Sequence, residues 1–537
     1  MAQAFADKNY LVIDDFPDMR AAIRSILRSL GVNRIDQARD GNDAITQMQI
    51  KHYDVVLCDY NLGPGKDGQQ VLEEARHRLL LGVDSIFIMV TAENARDMVM
   101  GAVEYAPDSY LAKPFTKDLL KNRLDKLFER KAHLSKVDKA LVAKDYGAAI
   151  AELDALIAAA PKNLSELFKL KAEICLAAHR YDDAMAICEQ VLAGREIVWA
   201  RLGMGRSLFG KKRYAEAQEV FRELLETDRD LIAAYDWLAR SQTTLQQFAE
   251  AEATLRRAVK LSPRGLKRQQ MLGELALNNS HGPEAEIAFG QAVNLARHSV
   301  LNHPSLFAGL AKSKSANNKH GEALKIIGEI GKVFAGNPET AFYKATATAI
   351  VKQSQGDMAG ATEALRAAEQ AMAEFGETSH SRLGLEMAKT CAQLGEQDKA
   401  ARLLHKAIAN NHDDDEFLME IVQTCREAGV DYDAETAIRE IQKRVVTTNN
   451  RGVRLIKEGE FDAAIALLHE ACEEMPGNKT INLNAAKACI MKMEKLGATA
   501  EDLLAVRRYV ERLHALAPQD WRLAEVTSRL RKLTPQT

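Results

Sequence analysis

The sequence predicts two fold classes in one chain: a doubly wound α/β domain with five parallel strands, followed by an all-α superhelix. Up to about residue 125, short apolar runs alternate with amphipathic stretches, which is typical of strand–helix units. Beyond that point the strand signals end, and alanine and leucine recur at helical spacing. At 537 residues the chain is also too long for one ordinary core.

The N-terminal region contains five strand-like runs. The candidate strands are Tyr10–Ile13, Ile35–Ala38, Val55–Asp59, Ile86–Val90 and Ser109–Leu111. Helical patterns lie near Asp18–Leu30, Asn42–Lys51, Gln69–Arg78, Ala95–Glu104 and Thr116–Arg130. Because each strand is followed by a helix, the pattern favours a parallel sheet with helices on both faces.

The C-terminal region repeats itself. An alanine recurs at intervals of 33 to 39 residues, with a last interval of 64 that corresponds to about two units. These alanines are Ala149, Ala184, Ala217, Ala251, Ala285, Ala323, Ala361, Ala400 and Ala464. Each is followed four residues later by a large apolar residue or cysteine, as in Phe221 and Leu255. The small residue lets two helices approach each other, and the larger one packs against the next pair.

Composition and charge exclude several classes of protein. The net charge is −3 with acidic and basic residues interspersed, so no DNA-binding surface is expected. No apolar run reaches about 18 residues, and the first residues lack the features of a signal peptide, so a cytoplasmic protein without membrane contact is expected. The seven cysteines are scattered, which favours buried reduced thiols over a metal site.

Three carboxylates are predicted to converge at one edge of the sheet. Asp14 and Asp15 follow the first strand, and Asp59 ends the third. The carboxyl ends of parallel strands form the ligand crevice in such folds. Carboxylates this close repel one another unless a cation lies among them, and oxygen ligands suit Mg²⁺. For the Asp14–Asp15 pair alone, a turn or helix cap before Pro17 is the alternative.

Residues 8–128 resemble the receiver domain of two-component response regulators. The resemblance rests on Asp14–Asp15, Asp59, Thr91, Tyr110 and Lys113–Pro114, which occur in this order at strand ends. It implies a flavodoxin-like receiver spanning residues 1–128. Asp59 is then the phosphoacceptor, Asp15 a direct Mg²⁺ ligand, Asp14 a ligand through water, and the backbone carbonyl of Asn61 a further ligand.

The same resemblance implies roles for the remaining residues. Lys113 would pair with the phosphoryl oxygens, and its bond to Pro114 is a candidate cis peptide. Thr91 and Tyr110 would act as the switch; the alternative for Tyr110 is an ordinary half-buried strand residue. Asn61 and Glu93 hold positions that tune dephosphorylation. The following loop, residues 60–68, departs from the family in its glycine content, which predicts greater mobility or a different kinase.

The repeats resemble tetratricopeptide repeats, also called TPR. The resemblance predicts about 10–11 repeats over 137–537, degenerate at about 300–445, with a connecting helix and the first repeat helix over 129–146. Longer helices or irregular loops are expected in the degenerate part. Such repeats form a concave groove that binds proteins. Its candidate residues, which could also be ordinary solvated positions, are Trp199, Arg206, Arg240, Lys267 and Gln270.

Together these features predict a phosphorelay response regulator without a separate catalytic domain. A cognate histidine kinase would phosphorylate Asp59, and this would modulate binding of a protein or acidic peptide by the repeats. A kinase-docking inhibitor or phosphoryl sink is the first alternative. An RNA-binding helical repeat is the second, which the net acidity disfavours. The oligomeric state, the pathway and the direction of the effect stay open.

Overall fold

The computed structural model describes residues 7–92, 107–131, 133–159, 163–375, 381–516 and 521–533. The chain divides into two compact units, Met1–Leu306 and Phe307–Thr537. The α/β domain and the first helical repeats therefore belong to the same unit. None of the described helices combines the length and apolar character needed to cross a lipid bilayer.

A parallel sheet of five strands forms the centre of the N-terminal domain. The strands are β1 Asn9–Ile13, β2 Arg34–Ala38, β3 Val55–Asp59, β4 Ile86–Thr91 and β5 Ser109–Ala112. They lie in the order β2-β1-β3-β4-β5, and every neighbouring pair is parallel. Each face of the sheet carries its own hydrophobic cluster, and β3 is buried throughout. The predicted doubly wound class is confirmed, and the strand order places the switch point between β1 and β3.

Four described helices cover this sheet. They are α1 Pro17–Ser29, α2 Gly41–Ile50, α3 Gly68–His77 and α4 Lys117–Lys131. The Asp67 carboxylate accepts a hydrogen bond from the backbone N–H of Gln70, and the Gln70 side chain accepts one from the Asp67 N–H. This reciprocal pair fixes where α3 begins, directly after the loop that follows β3. The predicted helix at 95–104 lies outside the described residues.

The junction between the domain and the repeats is a turn. Helix α4 ends at Lys131, and His133 has a positive φ of 69°, so the predicted helix does not continue straight into the repeats. A separate helix, α5 Ser135–Val142, follows. The Lys131 ammonium lies 2.7 Å from the Asp108 carboxylate and also contacts the backbone oxygen of Ser85. The end of α4 is thus tied to the sheet by side-chain contacts.

Successive helices that pack against one another form the rest of the described residues. In the first unit and across its end they are α6 Tyr146–Ala158, α7 Leu164–Ala177, α8 Tyr181–Leu192, α9 Val198–Gly210, α10 Tyr214–Thr227, α11 Ile232–Thr244, α12 Phe248–Leu261, α13 Leu266–Asn278, α14 Gly282–Ala296 and α15 Pro304–Ala316. In the second unit they are α16 His320–Val333, α17 Thr340–Ser354, α18 Met358–Ala373, α19 Ser381–Gln393, α20 Gln397–Asn410, α21 Asp415–Glu427, α22 Ala434–Glu458, α23 Phe461–Glu474, α24 Lys479–Leu496, α25 Ala500–Leu516 and α26 Trp521–Leu533.

Small residues allow the two helices of a pair to approach closely. A Cβ on Gly205 would lie 2.5 Å from the ring of Phe221, and a Cβ on Gly273 would lie 2.6 Å from the ring of Phe289. Both phenylalanines stand four residues after a repeat alanine. In both pairs the large side chain fills the space left by a small residue of its own pair, whereas the sequence pattern predicted that it packs against the next pair. Phe221 also stacks on Trp237 of the next pair, with the ring centres 6.2 Å apart.

The turn inside each pair has a recurring backbone conformation. A residue with positive φ precedes each repeat alanine by five positions. These residues are Lys144, His179, Lys212, Gln246, Ser280, Asn318, Gly356, Gly395 and Gly459. A left-handed residue ends the first helix and reverses the chain, so its fixed distance from the alanine sets the register of the pair. The later turns use glycine, which adopts this conformation without strain.

One long helix explains the interval of 64 residues between Ala400 and Ala464. Helix α22 has 25 residues and runs from Ala434 to Glu458. Near its end, a Cβ on Gly452 would lie 2.8 Å from Leu468 of α23, which is the packing of a first repeat helix. Its earlier half follows α21 directly, as a second repeat helix does. Two repeat helices are thus fused without a turn, in the region where longer helices were predicted.

Candidate phosphoryl-accepting crevice

Three carboxylates meet at the carboxyl ends of β1 and β3. Asp14 is completely buried, Asp59 is 7% exposed, and Asp15 is partly exposed. One carboxylate oxygen from each lies within 4.8 Å of the others. Asp14 is held in place through a hydrogen bond that its Oδ1 accepts from the backbone N–H of Phe16, at 2.9 Å. The predicted convergence of these side chains is therefore what the structure shows.

Lys113 lies between two of these carboxylates. Its Nζ is 2.8 Å from Asp14 Oδ2 and 3.1 Å from Asp59 Oδ1. The peptide bond from Lys113 to Pro114 is cis, as predicted. Burial raises the pKa of Asp59 above its usual value, and Lys113 offsets part of that rise. Burial lowers the pKa of Lys113, but its bonds to the two carboxylates raise it more, so its pKa lies above its usual value.

The crevice suits a hard divalent cation. Asp15 Oδ1 is buried and has no hydrogen-bond partner among the residues that the structure describes. An unpartnered carboxylate oxygen beside two other carboxylates is a favourable ligand for Mg²⁺. Asn61 is exposed in the loop two residues after Asp59. That loop stays close to the carboxylates, because a Cβ on Gly63 would lie 3.2 Å from Asp15 Oδ2.

Two predicted switch residues lie beside the crevice. Thr91 ends β4 and is 2% exposed. Tyr110 is half-buried in β5 and packs against the hydrophobic cluster that contains Tyr60. Burial raises the pKa of Tyr110 to about 12, and the nearby hydroxyl of Tyr60 adds to the effect. Glu93, the predicted tuning residue, lies outside the described residues.

Gly68 closes the loop that follows the phosphoacceptor candidate. Its backbone N–H donates a hydrogen bond of 2.8 Å to the carbonyl oxygen of Tyr60. A Cβ at this position would overlap the carbonyl oxygen of Asp59 and lie 2.9 Å from Met89 Sδ. Helix α3 therefore begins in direct contact with the backbone of Asp59, and only glycine leaves room for that contact.

The structure brings together two of the predicted groove residues. The guanidinium groups of Arg206 and Arg240 lie 5.4 Å and 4.8 Å from the ring centre of Trp237. Arg206 also forms an ion pair of 2.6 Å with Glu173, whereas Arg240 is exposed. Sequence reasoning missed Trp237, although its distance of three residues from Arg240 places both on one helix face.

The other predicted groove residues have different surroundings. Trp199 packs against the hydrophobic cluster of the first repeats, and Lys267 is exposed. Gln270 donates a hydrogen bond of 2.9 Å to Glu274 on its own helix. Arg268, which sequence reasoning also missed, is 2% exposed and forms an ion pair of 2.7 Å with Asp236. Its role is structural, because it joins neighbouring helix pairs.

Comparisons with known proteins agree with this architecture. The family model described as "Response regulator receiver domain" matches residues 10–125, and the one described as "Tetratricopeptide repeat" matches residues 175–240. Chemotaxis protein CheY-3 of Vibrio cholerae is 36% identical over 136 residues, which are 24% of this chain and 98% of that protein. Chemotaxis protein CheY of Pseudomonas aeruginosa is 36% identical over 120 residues, or 22% of this chain and 95% of that protein.

Solved structures give similar coverage. The response regulator protein TrrA from Thermotoga maritima, solved in complex with Mg²⁺ and BeF, is 32% identical and covers 22% of this chain and 98% of its own, with a TM-score of 0.20. The fold and crevice are those of a receiver domain, followed by helical repeats of the tetratricopeptide class. The chain belongs to the response regulator family. This membership supports a role in phosphorelay signalling.

Proposed function

We propose that the protein is a response regulator in which Asp59 accepts a phosphoryl group from a histidine kinase and the repeats bind a partner protein under control of that group. The observation that carries the proposal is the cluster of Asp14, Asp15 and Asp59 with Lys113 between them. The seven cysteines, all buried free thiols, agree with the reducing cytoplasm as its location.

Asp59 is the nucleophile of the proposed reaction. One of its carboxylate oxygens attacks the phosphorus atom of the phosphohistidine and forms an acyl phosphate, while the imidazole leaves. Lys113 favours the ionised, nucleophilic form of Asp59, because its bond at 3.1 Å opposes the effect of burial on the pKa. The same ammonium then remains beside the new phosphoryl oxygens and compensates their charge.

The remaining carboxylates would hold the metal ion. Asp14, Asp15, Asp59 and the backbone carbonyl of Asn61 would bind Mg²⁺, which neutralises phosphoryl oxygens when bound. Asp14 is fixed for this task by its hydrogen bond from Phe16. In this proposal the receiver promotes its own phosphorylation and dephosphorylation, and the chain has no separate catalytic domain.

The repeats are the proposed output. The surface formed by Arg206, Trp237 and Arg240 combines an aromatic ring with an exposed guanidinium. Arginine pairs with carboxylates in a bidentate geometry, and tryptophan and arginine are frequent in the centres of protein interfaces. This surface suits an acidic segment of a partner protein.

Transfer of label from radiolabelled acetyl phosphate tests the phosphorylation step. With Mg²⁺ present, the full-length chain should take up one labelled phosphoryl group, and Asp59→Asn should take up none. Asp118→Asn removes an exposed aspartate from the first turn of α4 and serves as the matched control. Equal labelling of the Asp59→Asn protein would refute the assignment of the phosphoacceptor.

The output is tested by adding an acidic probe. A fluorescent hexaglutamate peptide should bind the full-length protein with an affinity that changes when beryllofluoride, a phosphoryl mimic, is added with Mg²⁺. Arg240→Gln should weaken binding of this peptide in both states. An affinity that is the same with and without beryllofluoride would contradict control of the repeats by the receiver.

A further inference from the structure

One arginine of the repeats contacts both ends of the loop that follows the phosphoacceptor. Arg264 lies in the turn between α12 and α13. Its Nη2 is 2.8 Å from Asp67 Oδ2, and its guanidinium lies 5.4 Å from the ring centre of Tyr60. Tyr60 is the residue directly after Asp59, and Asp67 caps α3. Arg264 therefore bridges the first and last parts of the loop.

A second set of contacts holds α3 itself. The hydroxyl of Ser299 donates a hydrogen bond of 2.5 Å to the Glu73 carboxylate, and both residues are 9% exposed. The Gln70 side chain donates one of 3.1 Å to the backbone oxygen of Leu295. A buried carboxylate is costly unless it is hydrogen-bonded, so the Glu73–Ser299 contact specifies one docked arrangement of α3 on the repeats.

Two residues that lie close in sequence to these contacts carry buried polar atoms. Gln69 Oε1 and Asn302 Oδ1 are buried without a hydrogen-bond partner in the part of the chain that the structure describes. Arg264, for its part, is half-exposed, so its ion pair is weak. The docked arrangement thus combines a specific geometry with a modest free energy. A contact that forms and breaks reversibly needs such a small difference in free energy between its two states.

The loop that Arg264 contacts is also in direct contact with the backbone of the crevice. Gly68 presses against the carbonyl oxygen of Asp59 and donates a hydrogen bond to Tyr60, so the loop cannot shift independently of the phosphoacceptor. Tyr110, the switch candidate on β5, packs against the hydrophobic cluster that contains Tyr60. Arg264 therefore contacts the side chain of Tyr60, which is the residue next to Asp59 in the chain.

We propose that Arg264 and the segment 295–299 form a docking site for the loop 60–67 and α3 in the unphosphorylated state, and that phosphorylation of Asp59 weakens this docking. Lys113 is bonded directly to Asp14 and Asp59, so it must change partners when Asp59 is phosphorylated. A phosphoryl group adds roughly 1.5 to 2 negative charges beside the loop, which must rearrange to hold it. Tyr60 and Asp67 then move apart from Arg264.

The inference rests on the proposed phosphorylation of Asp59 and is tested by thermodynamic linkage. If loading weakens docking, then removing the docking contact strengthens loading by the same factor. Titration of the full-length Arg264→Gln protein with beryllofluoride and Mg²⁺ should give a dissociation constant roughly fivefold lower than that of the wild type, a factor within the usual range of such couplings. An unchanged or higher dissociation constant would overturn the inference.

Arg229→Gln is the matched control. Arg229 is exposed in the corresponding turn between α10 and α11, one repeat earlier. Its substitution should leave the dissociation constant for beryllofluoride unchanged. An effect as large as that of Arg264→Gln would show that any lost arginine charge suffices, and it would overturn the assignment to Arg264.

Hydrogen exchange of the wild-type chain gives a second readout. Beryllofluoride with Mg²⁺ should speed exchange in peptides covering 68–77 and 295–302, whereas Mg²⁺ alone should leave it unchanged. If beryllofluoride binds but exchange there stays the same or slows, the docking inference fails while the proposed phosphorylation stands. If the chain binds no beryllofluoride and takes up no label, the proposed function itself fails.

Discussion

Replacing Lys113 with methionine should destabilise the receiver in a pH-dependent manner. The substitution keeps the length of the side chain and removes the only cation paired with the carboxylates of Asp14 and Asp59 among the described residues. Removing one member of a buried ion pair costs about 3–5 kcal/mol. Since the Lys113 side chain is 13% exposed and Asp14 is fully buried, we expect the low end, about 3 kcal/mol.

The sign of the pH dependence follows from Asp59. Burial raises its pKa, and loss of Lys113 raises the pKa further. The stability linked to a carboxyl group with a raised pKa is present below its unfolded pKa and is lost as the pH rises through the folded pKa. The deficit of Lys113→Met should therefore be large near neutral pH. It should shrink as the pH falls toward about 4, the usual pKa of aspartate.

Native-state hydrogen exchange of the β3 amides in the full-length chain measures this deficit, because it reports local opening in a chain with several cores. Lys121→Met is the control, since Lys121 forms an exposed pair with Asp125 at 2.7 Å and its loss should cost less than about 0.5 kcal/mol. A Lys113→Met deficit that is equal at neutral and acidic pH would refute the reasoning. So would a deficit no larger than that of the control.

Three further substitutions test the backbone. Gly68→Ala would place a Cβ against the carbonyl oxygen of Asp59 and 2.9 Å from Met89 Sδ. We therefore expect loss of labelling by acetyl phosphate and a lower melting temperature. Full labelling would contradict the close contact between Gly68 and Asp59. Gly395→Ala should lower the free energy of unfolding by about 1 kcal/mol in urea titrations, because Gly395 has a φ of 82°. Gly328→Ala, in open space within a helix, should instead raise it by about 0.5 kcal/mol, and equal signs would refute the argument.

The sheet and the crevice were predictable because their signals are local. Each strand is a short apolar run, and the topology of a parallel sheet carries the residue after each run to the same edge. Asp14, Asp15 and Asp59 could therefore be assigned to one crevice from their positions, whereas Lys113 was assigned to it only through the resemblance to receiver domains. The cis bond before Pro114 was expected only through the resemblance to receiver domains, since no local pattern distinguishes it.

The repeat register was predictable for a similar reason, but its interruption was not. Alanine at regular intervals marks the second helix of each pair, and a left-handed turn precedes it by five residues. The interval of 64 residues between Ala400 and Ala464 spans about two units, so it gave the number of units without showing that helix α22 replaces a turn. A turn is marked in the sequence by residues that favour turns. A helix that continues where neighbouring units have a turn is marked only by the absence of such residues.

The contacts between receiver and repeats left no signal in the sequence. Arg264 and Asp67 are 197 positions apart, and neither the arginine in its turn nor the helix-capping aspartate is unusual for its place. Trp237 and Arg268 escaped notice for a related reason. Whether an arginine is exposed or buried beside an acid depends on which helices lie next to it. The repeat pattern alone does not show how the helices are arranged in three dimensions.

Two sets of contacts link the receiver to the first repeats, one at the junction and one where the docking site meets α3 and its preceding loop. At the junction, Asp138 of α5 accepts a hydrogen bond of 2.8 Å from the backbone N–H of Val83. The ion pair of Arg264 is half-exposed, so it contributes about 1 kcal/mol or less. In the proposed switch, phosphorylation of Asp59 would act on the Arg264 ion pair and on the docked α3, and the junction contact of Asp138 would keep the receiver next to the repeats.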